Sequence, residues 1–244
     1  MTLATMDLSK RIENAMKETE WDFGNKILYK MCKDFPEHKT SNQIVAKVWL
    51  IGRAYAASVE RQKANKMSND DYYKKFVAVN LKESEIDNKL LSLKGITKIT
   101  DDNLPTILSL HFDLINILKD VPKNNDKQNR RSFASKYLHF HLPKLFFIYD
   151  SIASTALNCY KKIDTGLFDN STLSKTLQDV STNENLDKEY AAFFLDCYLL
   201  KNHVNKKFNK KFTCRHLDNM LLFYSEDIIK QSKFIEPRKA LVSK

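Results

Sequence analysis

Residues 130–155 read RRSFASKYLHFHLPKLFFIYDSIAST, and this stretch decides the expected fold. Within SFASKYLHFH the aromatic residues Phe133, Tyr137 and Phe140 recur at helical intervals, which predicts a helix over residues 132–141. The polar residues of the segment gather on another face of the same helix. We therefore expect one side of this helix to pack into the core and the other side to present polar groups.

The segment after this helix predicts a buried crossing that leads to a capped helix. Pro143 ends the first helix, and the apolar residues 145–149 suit an extended, buried course. Asp150 comes directly before a second predicted helix, over residues 151–162, where an aspartate is a common N-cap. A carboxylate at the positive end of a helix also stays ionised, as a catalyst that stabilises positive charge requires. Asp150 is therefore a predicted cap and a candidate catalytic residue.

The rest of the chain extends the helical prediction. Its 244 residues contain only four glycines and five prolines, fewer turn residues than a β-sandwich or a Rossmann-like fold normally needs. Apolar periodicity, capping residues and breaks predict further helices over residues 8–18, 21–33, 41–65, 72–93, 104–118, 173–180, 186–203 and 214–231. We predict an all-α fold, a compact helical bundle of two closely packed lobes. Residues 1–244 form one integrated unit in this prediction, with a lobe boundary near the polar residues 122–131.

Cysteine usage and the N-terminal sequence predict a cytoplasmic protein. The four cysteines are widely separated, which fits reduced, mostly buried thiols better than a disulfide scaffold or a zinc site. His139 and His141 stand two residues apart and point to different sides of a helix, so they make a poor metal pair. No apolar run resembles a signal peptide or reaches a membrane-spanning length. We expect a monomer without membrane association, metal or cofactor.

The charge balance favours a partner that carries phosphates. Forty Lys and Arg residues against thirty Asp and Glu residues give a formal net charge of +10, which suits nucleic acid but also occurs in lysine-rich proteins that bind none. The segment NKKFNKKF interleaves lysines with Phe208 and Phe212, an arrangement suited to a nucleic-acid backbone and to stacking on bases. A solvated basic loop explains the same residues equally well. The basic candidates in this region are Lys206, Lys207, Lys210, Lys211 and Arg215.

The order of features in residues 130–155 resembles the catalytic half of the helix-hairpin-helix DNA glycosylases. A polar helix, a proline break, a short apolar crossing and an aspartate at the next helix start are similar, above all, to the divergent bacterial 8-oxoguanine DNA glycosylase-like group. The resemblance implies that the protein binds double-stranded DNA and excises a damaged or modified base flipped out of the duplex. It also implies that Asp150 stabilises the positive charge that develops on the sugar.

The chain departs from the family pattern at two places, and these departures affect the expected reaction and the expected binding of DNA. Bifunctional members carry a lysine at the start of the polar helix that forms a Schiff base with the sugar, where this chain has Arg130 and Arg131. Lys136 lies about one turn further in, so a monofunctional hydrolysis is implied, with Lys136 as the second catalytic candidate. The family's hairpin is glycine-rich, whereas KNNDKQNRR contains no glycine. Either arginines and lysines bind the DNA phosphate instead, with Arg130 and Arg131 as the residues to test, or the binding of DNA is altered or lost.

The segment VWLIGRAYAASVERQ is the candidate wall of the base pocket. Arg53 and Glu60 stand seven residues apart on one predicted helix face, amid small residues that permit close packing. A buried structural ion pair is one interpretation of these two residues. The other interpretation places Arg53, Tyr55 and Glu60 around the flipped base. The predicted pocket also includes His139 and Tyr149.

Three functions are open at this point. The first is a DNA glycosylase that acts in repair or, if its target is a hypermodified phage base, in antiviral defence. The second is a non-catalytic DNA-binding module that keeps the scaffold and has lost the chemistry. The third is a toxin-like ribonuclease that uses His139 or His141 together with Lys136.

Overall fold

The computed structural model describes residues 3–119, 121–122, 130–163, 165–168, 184–223, 225 and 227–229. Over these residues the chain is helical and contains no β-sheet, which confirms the all-α prediction. The helices are α1 Leu3–Ala15, α2 Trp21–Asp34, α3 Ser41–Ala54, α4 Asn69–Asp71, α5 Ala78–Glu83, α6 Ile86–Leu93, α7 Leu104–Ile117, α8 Arg131–His141, α9 Ser151–Ile163, α10 Lys188–Phe208 and α11 Cys214–Phe223. The short helix predicted over residues 173–180 lies outside the described residues.

The chain divides into two compact units. The first, called here the central unit, comprises Thr19–Phe146 and Thr182–Lys188. The second, called the terminal unit, comprises Met1–Glu18, Phe147–Ser181 and Glu189–Lys244. The chain therefore passes from the central to the terminal unit within the apolar crossing. Of the predicted lobe boundary, residues 122–131, the structure describes Pro122, Arg130 and Arg131, and these three belong to the central unit.

Helix α8 forms the middle of the central unit. It packs against α2, α3 and α7, and every residue from Phe133 to Phe140 is buried. The expectation that one side of this helix presents polar groups is therefore wrong, because Ser135, Lys136 and His139 lie in the interior beside the aromatic residues. The neighbouring helices cover the polar side too, and buried polar groups are tolerated where their hydrogen bonds are made within the protein.

Helix α3 ends at Ala54, well before the predicted end at residue 65, so that prediction is wrong. Ala56 adopts a left-handed φ of 52°, and the amide of Ala57 donates to the carbonyl of Gly52 at 2.8 Å, which is a Schellman termination. A Cβ on Gly52 would lie 3.1 Å from the backbone of the returning chain. Glycine is the usual residue at the left-handed position, and the alanine here gives the sequence no stop signal.

The helical stretch predicted over residues 72–93 is divided into segments. A π-helical segment, Tyr72–Val77, precedes α5, and Ser84 separates α5 from α6. The hydroxyl of Ser84 accepts from the amide of Ile86 at 3.4 Å, so the serine ends one helix and helps to begin the next. Gly95 follows α6 with a φ of +90°, a conformation that glycine adopts without strain.

The apolar crossing is buried, as predicted, and side chains bind its carbonyl groups. Residues 145–148 are each at most 2% exposed. The carbonyl of Phe146 is 2.8 Å from Nδ1 of His139, and the carbonyl of Phe147 accepts from the hydroxyl of Tyr190 at 2.9 Å. Because a buried carbonyl without a partner is costly, these two side chains allow the chain to cross the interior outside a sheet.

The terminal unit is built around α11. This helix packs against α1 and α9, and Nδ2 of Asn219 donates to the last carbonyl of α1 at 3.2 Å. Helix α10 continues to Phe208, past its predicted end at residue 203, so the basic loop is confined to residues 209–213. Asn209 opens the loop with a left-handed φ of 48°, which asparagine tolerates better than most residues.

All four cysteines are buried and free, as predicted. Burial raises the pKa of Cys32 and of Cys214 to about 12, so both thiols are protonated at neutral pH and unreactive. Among the described helices, none is both long and apolar enough to cross a membrane.

Candidate functional site

Asp150 is the N-cap of α9, as predicted. Its Oδ1 atom accepts from the amide of Ala153 at 2.8 Å, and its carbonyl accepts from the amide of Ser154 at 2.9 Å. The residue is partly exposed. The carboxylate therefore has a fixed orientation and access to solvent, at the end of a helix where the helix dipole favours negative charge.

Tyr149 holds the start of α9 against the start of α10. Its hydroxyl donates to Glu189 in the first turn of α10. Its ring meets that of Phe193 edge-on, with 5.0 Å between the ring centroids, and lies 6.4 Å from that of Tyr190. Tyr149 is thus an anchor beside Asp150, and it keeps the capped helix end in one position.

The loop between α10 and α11 combines a fixed backbone with exposed lysines. Oδ1 of Asn205 accepts from the amide of Phe212 at 2.6 Å, and Phe212 is only 2% exposed. The hydroxyl of Thr213 accepts from the amide of His216 at 3.1 Å and so caps α11. Phe212 is therefore a buried anchor in this fold. The exposed side chains are those of Lys206 and Lys207, in the last turn of α10, and of Lys210 and Lys211, in the loop itself.

Arg215 differs from these lysines because it is partly buried. Its guanidinium pairs with Asp218, one turn later in α11, and the Asp218 side chain is only 1% exposed. Arg215 therefore contributes to the packing of α11. The exposed positive charge at this end of the terminal unit comes from the lysines.

Asp150 and the basic loop lie at opposite ends of α10. The residue before Asp150 contacts Glu189 at the beginning of α10. Lys161, near the end of α9, contacts Asp196 further along α10 at 2.7 Å, so the two helices run in the same direction. Lys207 lies in the last turn of α10. At a rise of 1.5 Å per residue, Glu189 in the first turn of α10 and Lys207 are roughly 27 Å apart.

Lys136 and His139 are interior residues of α8. Nζ of Lys136 donates to the carbonyl of Tyr55 and to a hydroxyl one turn back in α8, each at 3.0 Å. Nδ1 of His139 is 2.8 Å from the carbonyl of Phe146, and Nε2 is 2.6 Å from the hydroxyl of Tyr29. A carbonyl only accepts, so Nδ1 carries the proton and Nε2 accepts from the tyrosine. Both side chains hold α8 to its surroundings.

Arg53 and Glu60 form an ion pair, although not on one helix face. Arg53 lies in the last turn of α3, and Glu60 lies in the 3₁₀ segment after it, with Nη2 and Oε1 2.5 Å apart. Oε2 of Glu60 also accepts from the hydroxyl of Tyr73 at 2.5 Å. The Glu60 side chain is 4% exposed and that of Arg53 is 49% exposed. The Tyr55 hydroxyl donates to Asn25 at 2.7 Å, so these residues are tied into the central unit.

Arg130 and Arg131 direct their guanidinium groups into the central unit. Arg130 is 4% exposed. Its Nη1 donates to the carbonyl of Val59 and its Nη2 to the hydroxyl of Tyr72, each at 2.7 Å. Nε of Arg131 bonds to both carboxylate oxygens of Asp187, at 2.8 and 2.9 Å. In this fold neither residue displays its charge as an open surface for phosphate.

A further group of polar residues, which the sequence did not reveal, lies in the central unit. Asp87 accepts from the backbone amide of His38 at 2.8 Å and from its Nδ1 at 2.5 Å. Nε2 of His38 is 2.6 Å from the hydroxyl of Tyr137. Burial lowers the pKa of His38 to about 4, so the imidazole is neutral at pH 7. His38 is 49 positions from Asp87 and 99 from Tyr137, and no local motif joins the three.

Within the described ranges, no three His, Cys, Asp or Glu side chains come together in a way that would hold a metal ion. The glycine-free segment between residues 123 and 129 lies outside the described residues. Comparison of the chain with protein-family models, with curated proteins and with solved structures found no match.

Proposed function

We propose that the protein is a DNA glycosylase, which binds double-stranded DNA and hydrolyses the N-glycosidic bond of a flipped-out damaged or modified base. Asp150 carries this proposal. It is a partly exposed carboxylate, fixed as the cap of α9, in the same unit as the exposed lysines of the basic loop. The succession of α8, buried crossing and capped α9 supports it as well, because the resemblance rests on that order.

Hydrolysis of the glycosidic bond requires few groups from a protein. As the bond between C1′ and the base nitrogen breaks, its electron pair leaves with the base and positive charge develops on the sugar. A fixed carboxylate beside the sugar stabilises that charge. Water then bonds to C1′, and the proton it loses goes to the departing base. Asp150 would supply the carboxylate.

The position of Lys136 supports hydrolysis over a lyase reaction. A Schiff base requires an accessible, neutral amine, whereas Nζ of Lys136 donates to two oxygens inside the central unit. To attack a sugar, this lysine would have to leave both partners. We therefore propose that Lys136 has a structural role, in which it binds the Tyr55 carbonyl to α8. Asp150 is the residue that would act on the sugar.

The exposed lysines at the end of α10 and in the basic loop supply the proposed phosphate contacts. Lys207 lies roughly 27 Å along α10 from the helix start that adjoins Asp150. This distance corresponds to about eight nucleotides along one strand of B-DNA. A duplex that extends past that distance on the correct side of the target base should therefore bind more tightly than one that ends before it. Arg130 and Arg131 are not part of this proposed surface.

Base release by the purified full-length protein tests the proposal. Oligonucleotides with oxidised or deaminated bases, and genomic DNAs that include phage genomes with hypermodified bases, would be incubated with the protein. Mass spectrometry would identify released bases, and an aldehyde-reactive probe would count abasic sites. We expect free base and abasic sites from at least one DNA, with no strand cleavage before alkali. The base released would also decide between repair and antiviral defence.

Two results would contradict the proposal. Strand cleavage without alkali would contradict the assignment of a monofunctional reaction. No released base from any of these DNAs, with the protein in excess over the substrate, would contradict the enzymatic function itself.

One observation favours a second candidate, a non-catalytic DNA-binding module. The segment KNNDKQNRR contains no glycine, so it differs from the hairpin with which the family binds a DNA phosphate. Arg130 and Arg131, which could have replaced that contact, are bound within the central unit. This candidate predicts salt-sensitive duplex binding without any abasic product. The ribonuclease hypothesis has no comparable support, since Lys136 and His139 are buried.

A further inference from the structure

A cavity of about 550 Å³ lies entirely within the central unit. It is bounded by α2, by α6 and by the chain that leaves the end of α8. Sites for small organic ligands commonly have this size. Leu91 lines the cavity and is 64% exposed, so the cavity is open to the surface.

Much of the cavity wall is apolar, and part of it is aromatic. Tyr29, which is partly exposed, contributes a ring to the wall, and the buried ring of Phe140 supports it with 4.8 Å between the ring centroids. Leu91 and Leu142 add aliphatic surface. Ring faces and branched aliphatic groups bury a large area against a flat molecule. The wall therefore favours a planar ring system.

The polar groups of the wall balance one another in charge. Asp87 and Glu37 are the acidic residues of the wall, and the carboxylate of Glu37 also pairs with Lys39 at 2.5 Å. An ionised carboxylate only accepts hydrogen bonds. Lys33 and Lys94 contribute ammonium groups, which only donate. The amide of Asn88 can do both. A neutral ligand with N–H donors for the carboxylates and acceptors for the lysines fits this wall better than a cation or an anion does.

His38 holds the Asp87 carboxylate in one position. The backbone amide and Nδ1 of His38 both contact this carboxylate, and the fully buried Tyr137 holds the far side of the His38 ring. A carboxylate that is already immobile loses little conformational freedom when a ligand binds. The recognition group is therefore pre-organised.

His141 adds a partly exposed, neutral ring to the wall. The ring is stacked on that of His38, with 5.7 Å between the ring centroids, and the residue lines the cavity. Its Nε2 atom is buried and has no hydrogen-bond partner. Burial lowers the pKa of His141 well below its ordinary value, so the ring adds no charge to the wall.

We infer that this cavity binds a small, neutral, planar heteroaromatic molecule that carries both N–H donors and hydrogen-bond acceptors, the chemistry of a nucleobase or a free nucleoside. The ring packs against Tyr29, and its N–H groups face Asp87. The cavity lies in the central unit, whereas Asp150 and the basic loop belong to the terminal unit. The site can therefore be tested apart from the glycosylase function.

Calorimetric titration of the full-length protein with six probes tests the site. Guanosine, adenosine and cytidine have both donors and acceptors. Caffeine is planar and neutral but has no N–H group, tryptamine is a cation, and decanoate is an apolar anion. We expect saturable binding of at least one nucleoside, about tenfold or more tighter than that of the last three probes, since each lacks part of the required chemistry.

Two variants locate the binding. Leu91→Trp places a bulky ring at an exposed position of the cavity mouth, so it should keep the fold and weaken nucleoside binding about tenfold. Asp87→Asn removes an acceptor and should weaken nucleoside binding while leaving any weak binding of caffeine unchanged. If Asp87→Asn does not fold, Leu91→Trp still decides the question. The inference is overturned if no nucleoside binds, if caffeine, tryptamine or decanoate binds as tightly, or if Leu91→Trp binds like the wild type.

Discussion

The charged side chains that the sequence predicts to act on DNA lie in different environments in the central and terminal units. In the central unit, Lys136 and Arg130 are 3% and 4% exposed and direct their nitrogen atoms at protein oxygens. In the terminal unit, Lys207 and Lys210 are exposed, and Asp150 is partly exposed. A buried cation stabilises the fold only through its partners, whereas an exposed one is available to a ligand. The role of a basic residue therefore depends on whether neighbouring helices cover it. Its position in a sequence motif does not reveal this.

The largest expected effect is on stability, when a buried cation of the central unit is removed. Arg130→Ala should lower the free energy of unfolding by about 3 kcal/mol or more, because the Val59 carbonyl and the Tyr72 hydroxyl lose a charged donor in the interior. Lys207→Ala should change it by less than about 0.5 kcal/mol. Urea unfolding of the two variants measures both values. Equal losses of unfolding free energy in the two variants would contradict the assignment of Arg130 to the interior and of Lys207 to the surface.

Acid should destabilise the central unit through His38. The pKa of this histidine falls from an ordinary value of 6.5 to about 4 on folding, because of burial. Between these values the unfolded chain binds a proton that the folded chain does not, so stability falls as the pH is lowered. The loss from this residue at pH 5 is about 2 kcal/mol.

Urea unfolding at pH 7 and at pH 5 checks this expectation. His38→Gln cannot titrate, so this variant should lose less stability between the two pH values than the wild type. The same loss in both proteins would contradict the assignment of a neutral, buried His38.

A smaller effect is expected for the exposed lysines. Each lysine that contacts a phosphate adds about 0.9 to the slope of log affinity against log salt. Replacing Lys207 and Lys210 by Ala should therefore lower that slope by about 2 for duplex DNA, as measured by fluorescence anisotropy. Alanine at Lys82 and Lys98, which are exposed in the central unit, is the matched control. An unchanged slope in the variant without Lys207 and Lys210, or an equal fall in the control, would show that these two lysines do not contact the DNA.

Local signals in the sequence predicted the helices with strong periodicity and clear ends. Helices α7, α8 and α9 each begin and end within one residue of the predicted positions. Their boundaries depend on nearby residues, such as Pro143 and the capping Asp150. The end of α3 was missed because Ala56 takes a conformation for which glycine is the usual signal.

The polar interior of the central unit could not be predicted from the sequence. Lys136 and the Tyr55 carbonyl that it binds are 81 positions apart, and His139 and Tyr29 are 110 positions apart. Helical periodicity shows which residues share a face, but it does not show whether another helix covers that face. The cavity could not be predicted for the same reason, because its wall comes from three segments that are separate in the sequence.

Asp150→Asn tests the proposed catalytic role of Asp150, because this substitution removes the charge and keeps the cap. Asparagine and aspartate cap helices about equally well, so the bond to the Ala153 amide and the fold should survive. Single-turnover release would be measured on a DNA from which the wild type liberates a base. Asp101→Asn, at an exposed aspartate of the central unit, is the control.

We predict that Asp150→Asn releases the base about 10²–10³-fold more slowly than the wild type. Its thermal midpoint and its affinity for the duplex should match those of the wild type, and Asp101→Asn should release the base at the wild-type rate. Release at the wild-type rate by a folded, DNA-binding Asp150→Asn variant would contradict the role of Asp150 as the catalytic carboxylate.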